Sequence, residues 1–489
     1  MTTFTTGTDT LTRDALAVLQ PGFDGTTAPD WVRRRLGEGL VSVALFGRNV
    51  AGAEQVAALT AQLRAERDDL LVAIDEESGD VTRLEVRTGS SFPGNHALGA
   101  VDDTGLTRDV ARELGRRLAA CGVNFNWAPS ADVNANPANP VIGVRSFGGD
   151  TDLVSRHTAA YVEGLQSTGV AACAKHFPGH GDTATDSHLT TPVVDRTPEE
   201  LARRELVPFA AAVEAGVAAV MTSHILLPRL DPDAPATMSA PVLGGVLRER
   251  LGFTGLVVTD ALDMVGASGR LGLAGAAVRA VAAGADLLCL GTDNTAEQVE
   301  EIAAALVAAV AGGQVPEDRL LAAGEAVRHL ARAHPGPPPG LPPAPRSAPV
   351  VPAERIAATF ALSPRAEALL AQGRRPVLVE LETDPNIAVG PGAWGPFALA
   401  RDRGVPVLTV EQALRRPADD DELLAVVGRD NHLHASSREA IGALRDHHDA
   451  TLAVDMGWAR PDAGLADVAT YGASPAVADA LLLRLGVPS

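Results

Sequence analysis

The chain is nearly without lysine: of its 489 residues only Lys175 is one, against forty arginines. Arginine has replaced lysine wherever either cation serves, and one position has kept the ammonium. A compact point charge differs from a flat, forked guanidinium in reach and shape, so the exchange fails where a tight site needs a small cation. Cysteine is scarce too. Cys121, Cys173 and Cys289 are odd in number and lie in apolar runs, which reads as buried free thiols in a reducing compartment. Positive charge is gathered nowhere. The formal net charge is −20 with no Lys/Arg cluster, which excludes nucleic acid and anionic membrane surfaces as partners. No run of eighteen apolar residues occurs, so no membrane-spanning helix is expected. Met1-Thr2-Thr3-Phe4-Thr5-Thr6 has neither a basic region nor a long apolar stretch, so the expectation is a cytoplasmic protein without a secretory signal.

What is present is an alternation. Short apolar runs at Ala17–Gln20, Val41–Leu45, Leu70–Ile74, Val123–Trp127, Val170–Ala174, Val217–Met221, Leu256–Thr259 and Asp286–Leu290 are separated by helical stretches such as Thr104–Ala120, Pro198–Ala215 and Thr295–Ala311. Strands that alternate with helices and read as continuous apolar runs imply a parallel sheet covered on both faces. Seven or eight such units over about 330 residues predict an α/β protein with a (β/α)8 TIM-type barrel. A Pro-rich stretch at 336–352 reads as a stiff linker. It separates a barrel over 1–335 from a smaller α/β C-terminal domain over 353–489, with strands expected at Pro376–Glu382, Val405–Val410, Glu422–Val427 and Ala450–Val454.

Nearly every strand run of the first region ends in a polar cluster: Phe46-Gly47-Arg48-Asn49, Asp75-Glu76-Glu77, Pro129-Ser130-Ala131-Asp132, Lys175-His176, Thr222-Ser223-His224 and Asp260. Barrel enzymes carry their chemistry at the C-terminal ends of their strands. Polar residues end strands in any case, but acids, histidines and the sole lysine at successive ends exceed that. The densest cluster runs Lys175-His176-Phe177-Pro178-Gly179-His180-Gly181-Asp182-Thr183-Ala184-Thr185-Asp186-Ser187-His188.

Three segments together resemble glycoside hydrolase family 3, in particular its bacterial NagZ-type β-N-acetylglucosaminidases. They are Lys175 to Thr183 with Asp186-Ser187-His188, Val257-Val258-Thr259-Asp260-Ala261-Leu262-Asp263-Met264, and Asn139-Pro140-Val141-Ile142-Gly143-Val144-Arg145-Ser146-Phe147-Gly148. The resemblance implies a retaining exo-glycosidase acting on a small carbohydrate, with no cofactor and no metal. It implies Asp260 as the nucleophile and His188 as the acid/base, oriented by Asp186. It implies Asp75, Arg145, Lys175 and His176 as grips on the sugar, and it leaves His180 and Asp182 to shape their loop. The chain departs from the family at one point. Relatives commonly read Asp-x-Glu-Gly-Gly-Arg where this chain reads Asp75-Glu76-Glu77-Ser78-Gly79-Asp80, so an arginine that would help hold the sugar is replaced by Asp80.

The chemistry agrees with these residue types independently. A retaining glycosidase needs a carboxylate on one face of the anomeric carbon and a proton donor on the other. A histidine backed by a carboxylate can give and recover a proton near neutral pH. Three alternatives remain open at this level. His176, His180, Asp182, Asp186 and His188, with His224 and Asp260, are metal-ligand types and could serve a metal-dependent hydrolase. The helical i, i+4 pairing of a zinc motif is opposed by Pro178, Gly179 and Gly181. Inorganic phosphate in place of water as acceptor would make the enzyme a phosphorylase, because a histidine repels the incoming dianion less than a glutamate does. A sugar-binding module on a dead barrel is opposed by the presence of every proposed catalytic side chain. Gly428-Arg429-Asp430-Asn431-His432-Leu433-His434 in the C-terminal region has the look of a ligand loop but lacks an accompanying acid cluster.

Overall fold

The computed structural model describes residues 5–185, 191–269, 271–336, 351–383, 389, 394–460 and 463–488. Contacts divide the chain into two compact units that are not contiguous in sequence. The first comprises residues 1–76, 107–136 and 149–347, and the second residues 77–106, 137–148 and 348–489.

In the first unit the strands are β1 (Leu19–Gln20), β2 (Ser42–Leu45), β3 (Leu71–Ile74), β4 (Phe125–Asn126), β5 (Ala171–Phe177), β6 (Ala219–Thr222), β7 (Leu226–Leu227), β8 (Asp231–Pro235), β9 (Leu256–Val258) and β10 (Leu288–Cys289). Strands β2, β3, β4, β5, β6 and β9 lie side by side in that order, all parallel, as a curled half-barrel. Strands β1 and β10 form a separate parallel pair, and β7 and β8 an antiparallel hairpin. A bridge between Val258 and Leu287 lies at the β9 edge, and at the other edge the Ala44 N–H donates to the Pro21 carbonyl.

The register follows from the sequence. These strands are buried on both faces, which is why they read as unbroken apolar runs. On one face Leu71 and Ala73, Phe125 and Trp127, Ala171 and Cys173, Ala219 and Met221, and Leu256 and Val258 pack into a single cluster. Because strand side chains alternate with period two, the next residues on that face are Asp75, Lys175 and Asp260. The helices between strands start where the sequence supplies caps: Asp150 accepts from the Leu153 N–H, and Thr295 with Gln298 forms a capping box. Gly164 is required where helix Thr151–Gln166 passes close to the Arg108 carbonyl, 2.2 Å from where a Cβ would stand.

The expected helix Pro198–Ala215 is two helices, Pro198–Arg203 and Leu206–Glu214. Pro208 has no N–H to give to residue 204 and would collide with its carbonyl. The chain therefore breaks and restarts at Leu206, leaving Pro208 in a first turn where the missing donor costs nothing. Strand β5 runs three residues beyond the expected Val170–Ala174 and includes Lys175, His176 and Phe177.

The second unit is built on β11 (Ala361–Leu362), β12 (Arg375–Glu380), β13 (Val407–Thr409), β14 (Glu422–Gly428), β15 (Thr451–Asp455) and β16 (Val468–Ala469). The sheet order is β11-β16-β15-β14-β12-β13, parallel except for β11 at one edge. Val377, Val379, Leu424, Val426 and Ala453 on one face pack with Ala413, Ile441 and Leu444 from the helices Val410–Arg415 and Ala435–His447. Residues 337–350, most of the expected linker, lie outside the described residues. Among the described residues no helix is long and apolar enough to cross a membrane.

Candidate active site

The first unit gathers its ionisable residues within the last residues of β5 and just past the C-terminal ends of β3, β4, β6 and β9. Lys175, at 2 % exposure, is among the most buried cations of the chain, and its Nζ lies 2.5 Å from Asp75 Oδ1. A buried ammonium needs a carboxylate partner, and the parity of β3 and β5 puts both on the same face. The next residue is oriented by a second acid. His176 Nδ1 donates to Asp132 Oδ2 at 2.7 Å; a carboxylate only accepts, so Nδ1 carries the proton. Asp132 also accepts from the Ser130 hydroxyl at 2.9 Å and from the His180 N–H at 2.6 Å. Burial alone would raise its pKa, but His176 and the His180 N–H outweigh that and hold it below the usual carboxylate value. The Lys175–His176 and Phe177–Pro178 peptide bonds are cis.

His180 plays a different part. Burial, then the charge on His176, pushes it down to about 4. Its Nδ1 shares a 2.8 Å hydrogen bond with Thr183, so it is neutral near pH 7 and packs the turn after β5. Asp182 accepts from Arg196 at 2.9 Å and Arg204 at 2.7 Å. Both residues hold the loop.

Asp260 stands two residues past β9, half-buried, with Oδ1 accepting from the Ala261 N–H at 2.8 Å. The turn behind it is pinned by His224, wholly buried, whose Nε2 donates to the Ala261 carbonyl at 3.0 Å and whose Nδ1 meets Thr237 Oγ1 at 2.8 Å. Two buried thiols register where the charges converge. Burial raises the Cys173 pKa, and Lys175, Asp260 and Asp75 all act on that thiol. Burial likewise raises Cys289, on which Asp260, Asp263 and Asp75 act. Asp75, Lys175 and Asp260 thus lie beyond the same apolar face, as the strand parity requires.

Arg145 belongs to the second unit. It forms a two-pronged ion pair with Glu77, Nη2 to Oε1 at 2.7 Å and Nε to Oε2 at 3.0 Å, and its Nη1 donates to the Val141 carbonyl at 3.1 Å. Asp80, in the same unit, accepts from the Ala473 N–H at 3.1 Å and lies 3.9 Å from Arg429 Nη1. Burial raises its pKa despite that guanidinium. Asp186 and His188 lie outside the described residues. The loop Gly428–His434 is pinned to the end of β15: Asp455 accepts from the Asp430 and Asn431 N–H groups at 2.8 and 3.0 Å. Among the described residues no three His, Cys, Asp or Glu converge to hold a metal.

Sequence reasoning singled out Asp75, Lys175, His176 and Asp260, and the structure brings Asp75, Lys175 and Asp260 to one face. It gave no role to Asp132, Glu77 or Thr237, and weighed His224 only as a metal ligand. The position of Asp132 and His224 at strand ends was the one available signal.

An α/β enzyme with charged side chains collected at the carboxyl ends of parallel strands is the class this layout defines. The glycosyl hydrolase family 3 N-terminal domain matches residues 23–332, and the chain belongs to that family of glycoside hydrolases. It is 38% identical over 265 residues to beta-hexosaminidase A of Pseudoalteromonas piscicida, covering 50% of this chain but only 44% of that one. It is 40% identical over 293 residues to a beta-hexosaminidase of Thiobacillus denitrificans, covering 58% of this chain and 79% of that one. A solved glycoside hydrolase family 3 beta-N-acetylglucosaminidase from Paenibacillus sp. is 32% identical with a TM-score of 0.82, covering 98% of this chain and 97% of that one.

Proposed function

We propose that the chain is a retaining, exo-acting β-N-acetylglucosaminidase that releases N-acetylglucosamine from muropeptide or chitin-type fragments in the cytoplasm. The observation that carries this reading is the convergence of Asp75, Lys175 and Asp260 on one face of a family 3 domain. Relatives named beta-hexosaminidase and beta-N-acetylglucosaminidase support the sugar class. In this reading the eight parallel strands of residues 1–335 close as a (β/α)8 barrel, a Pro-rich linker spans 336–352, and 353–489 form a smaller α/β domain. The Val258–Leu287 bridge and the Ala44–Pro21 hydrogen bond support closure.

The chemistry runs in two displacements at C1 of the sugar. A carboxylate oxygen of Asp260 bonds to C1 as the glycosidic C1–O bond breaks. The departing oxygen takes its proton from the His188 imidazolium, whose other ring nitrogen is held by Asp186. The neutral imidazole then takes a proton from water as that water bonds to C1 and the Asp260–C1 bond breaks. Lys175 donates to a sugar hydroxyl while Asp75 accepts from one, and their mutual ion pair keeps both extended and fixed. His176, oriented by Asp132, and Arg145, braced by Glu77, supply further hydrogen bonds to the sugar. No cofactor takes part.

The test is incubation with a chromogenic N-acetyl-β-glucosaminide, with and without inorganic phosphate, and identification of the sugar released. Free N-acetylglucosamine in both arms is expected; a sugar phosphate in the second arm would replace hydrolysis by phosphorolysis. His188→Ala should cost about 10²–10⁴-fold with a poor leaving group and much less with an activated aryl leaving group. Equal losses on both substrates would remove the acid/base assignment.

A further inference from the structure

We infer that His224, Thr237 and Thr222 form a buried chain of hydrogen bonds that aims the Asp260 carboxylate, which makes His224 and Thr237 positioning residues of the first displacement. This role rests on the glycosidase reading and deepens it. Its origin is register. Strands β6 and β9 are paired with Met221 opposite Val258, so His224 and Ala261, each three residues further on, leave the sheet at the same level. There His224 Nε2 donates to the Ala261 carbonyl at 3.0 Å. The Ala261 N–H in turn donates to Asp260 Oδ1 at 2.8 Å. One residue thus takes the ring on its carbonyl and holds the proposed nucleophile on its amide.

The proton positions follow from counting donors. A carbonyl only accepts, so Nε2 carries a proton. Nδ1 lies 2.8 Å from Thr237 Oγ1, which is also 2.9 Å from the Ser223 carbonyl and 2.8 Å from Thr222 Oγ1. The Ser223 carbonyl already accepts the Thr237 N–H at 3.2 Å. Thr237 has one hydroxyl proton, and giving it to Nδ1 serves the ring in its neutral form. Giving it to Ser223 would demand a second ring proton, a buried imidazolium. Thr222 then donates to Thr237, and the chain runs from Thr222 through Thr237 and His224 to Ala261. All three side chains are wholly buried, so water does not compete for these bonds. The hairpin β7–β8 exists on this account to return a hydroxyl to the end of β6. It closes with the Ala236 N–H on the Ile225 carbonyl at 2.8 Å, and Thr237 follows in the single turn Ala236–Met238. The turn after Asp260 has backbone support as well. The Leu262 N–H donates to the Cys289 carbonyl at 2.9 Å, and the Met264 N–H shares the Ala261 carbonyl at 3.2 Å. Removing the ring therefore leaves no orphan acceptor at Ala261: the turn can persist while the carboxylate loses its aim.

The test follows covalent labelling of the full chain by an N-acetylglucosaminyl fluoride carrying a second fluorine at C5, read by intact mass to completion. It is paired with kcat/KM on an aryl and an alkyl N-acetyl-β-glucosaminide. Labelling needs the nucleophile, and kcat/KM reports the first displacement with either leaving group. His224→Leu is expected to label fully at Asp260 but about tenfold to a hundredfold more slowly, the range that a misplacement approaching 1 Å costs. Its kcat/KM should fall by the same factor on both substrates. Thr237→Val keeps the shape and removes the hydroxyl, so it should lose about threefold to tenfold, the worth of one hydrogen bond. Thr237→Ser keeps the hydroxyl and should label near the parent rate. The two threonine variants carry the test if His224→Leu does not fold. Three results overturn the role. One is labelling of the folded variants at the parent rate. Another is a smaller labelled fraction at that rate, which is loss of folding alone. The third is a loss confined to the alkyl glycoside, which is a fault of proton donation. The glycosidase reading fails separately, by a label on the parent chain at a residue other than Asp260 or by no label at all.

Discussion

Both units end their parallel strands in buried acids, and what those acids face separates them. In the first unit the partners are cationic or ionisable side chains: Lys175 for Asp75, and the His176 ring for Asp132. In the second they are backbone amides. Asp455, closing β15, accepts from the N–H groups of Asp430, Asn431 and Gly457, and Asp430 accepts from the Trp458 N–H. A carboxylate with both oxygens spent on backbone amides, as in Asp455, fixes a loop's path and has little left for a substrate, whereas Asp260 gives Oδ1 alone to the Ala261 N–H. One that holds a lysine or a histidine orients a group able to donate in turn. Position at a strand end is therefore a weak sign of chemistry until the partner is known.

The largest effect should come from exchanging the two kinds of acid for alanine. Asp260→Ala is expected to lower turnover by about 10⁴-fold or more with an unchanged melting profile. Asp263, exposed one turn onward, should tolerate the same change with a measurable rate. Asp455→Ala should do the reverse, lowering thermal stability while the folded fraction still turns over. Loss of turnover without loss of folding in Asp455→Ala would erase the distinction. A fluorinated-sugar adduct mapped to any residue but Asp260 would overturn the nucleophile.

Lys175→Arg comes next. If the site needed only positive charge, arginine would serve, as it does elsewhere in this chain. The wider guanidinium cannot occupy the 2.5 Å pairing with Asp75 without moving the sugar, and a misplacement of about 1 Å can cost around a hundredfold. A variant with full catalytic efficiency would show that the single lysine has no catalytic meaning. Smaller again is Asp132→Ala. It frees the His176 ring and leaves the His180 N–H without its acceptor. Breaking such a buried pair costs about 3–5 kcal/mol, so the melting temperature and kcat should fall together, with KM moving less.

Much of this was legible in the sequence. The core strands could be read because burial on both faces turns them into unbroken apolar runs, and even two-residue β1 and β10 sit inside such runs. Strands β11, at the sheet's edge, and β16 beside it went unread, since two residues leave no periodicity to find. Lys175 was conspicuous by its rarity, and Asp75 and Asp260 by their place after apolar runs. Partnerships were not legible. Asp132 lies 44 residues before His176, and Glu77 lies 68 before Arg145; no local pattern joins such pairs. The substitution at Asp80 could be seen in the sequence, but its partner could not: Arg429 arrives from a distant segment and stands beside the acid that occupies the arginine's usual place.

The smallest effect is also the sharpest test of the comparison, because the two kinds of acid respond oppositely to pH. Burial, then the neighbouring Asp430 charge, raises the Asp455 pKa to about 7, against the pull of its three amide donors. The unfolded chain releases that proton near pH 4, so between about pH 4 and 7 the folded state holds more protons than the unfolded one. Stability linked to Asp455 therefore falls as pH rises through this window and is level above it. Asp132, held below its ordinary value by His176 and the His180 amide, has the opposite sign. Its contribution is complete above about pH 4 and is lost as pH falls through its folded pKa. Differential scanning calorimetry of the parent and of Asp455→Asn across pH 4.5 to 7.5 separates the two. The parent should gain on the order of a few degrees, relative to the asparagine variant, as pH is lowered from neutrality. Parallel curves would mean that Asp455 is ionised in the folded state throughout, and that acids facing amides and acids facing side chains do not differ in this way.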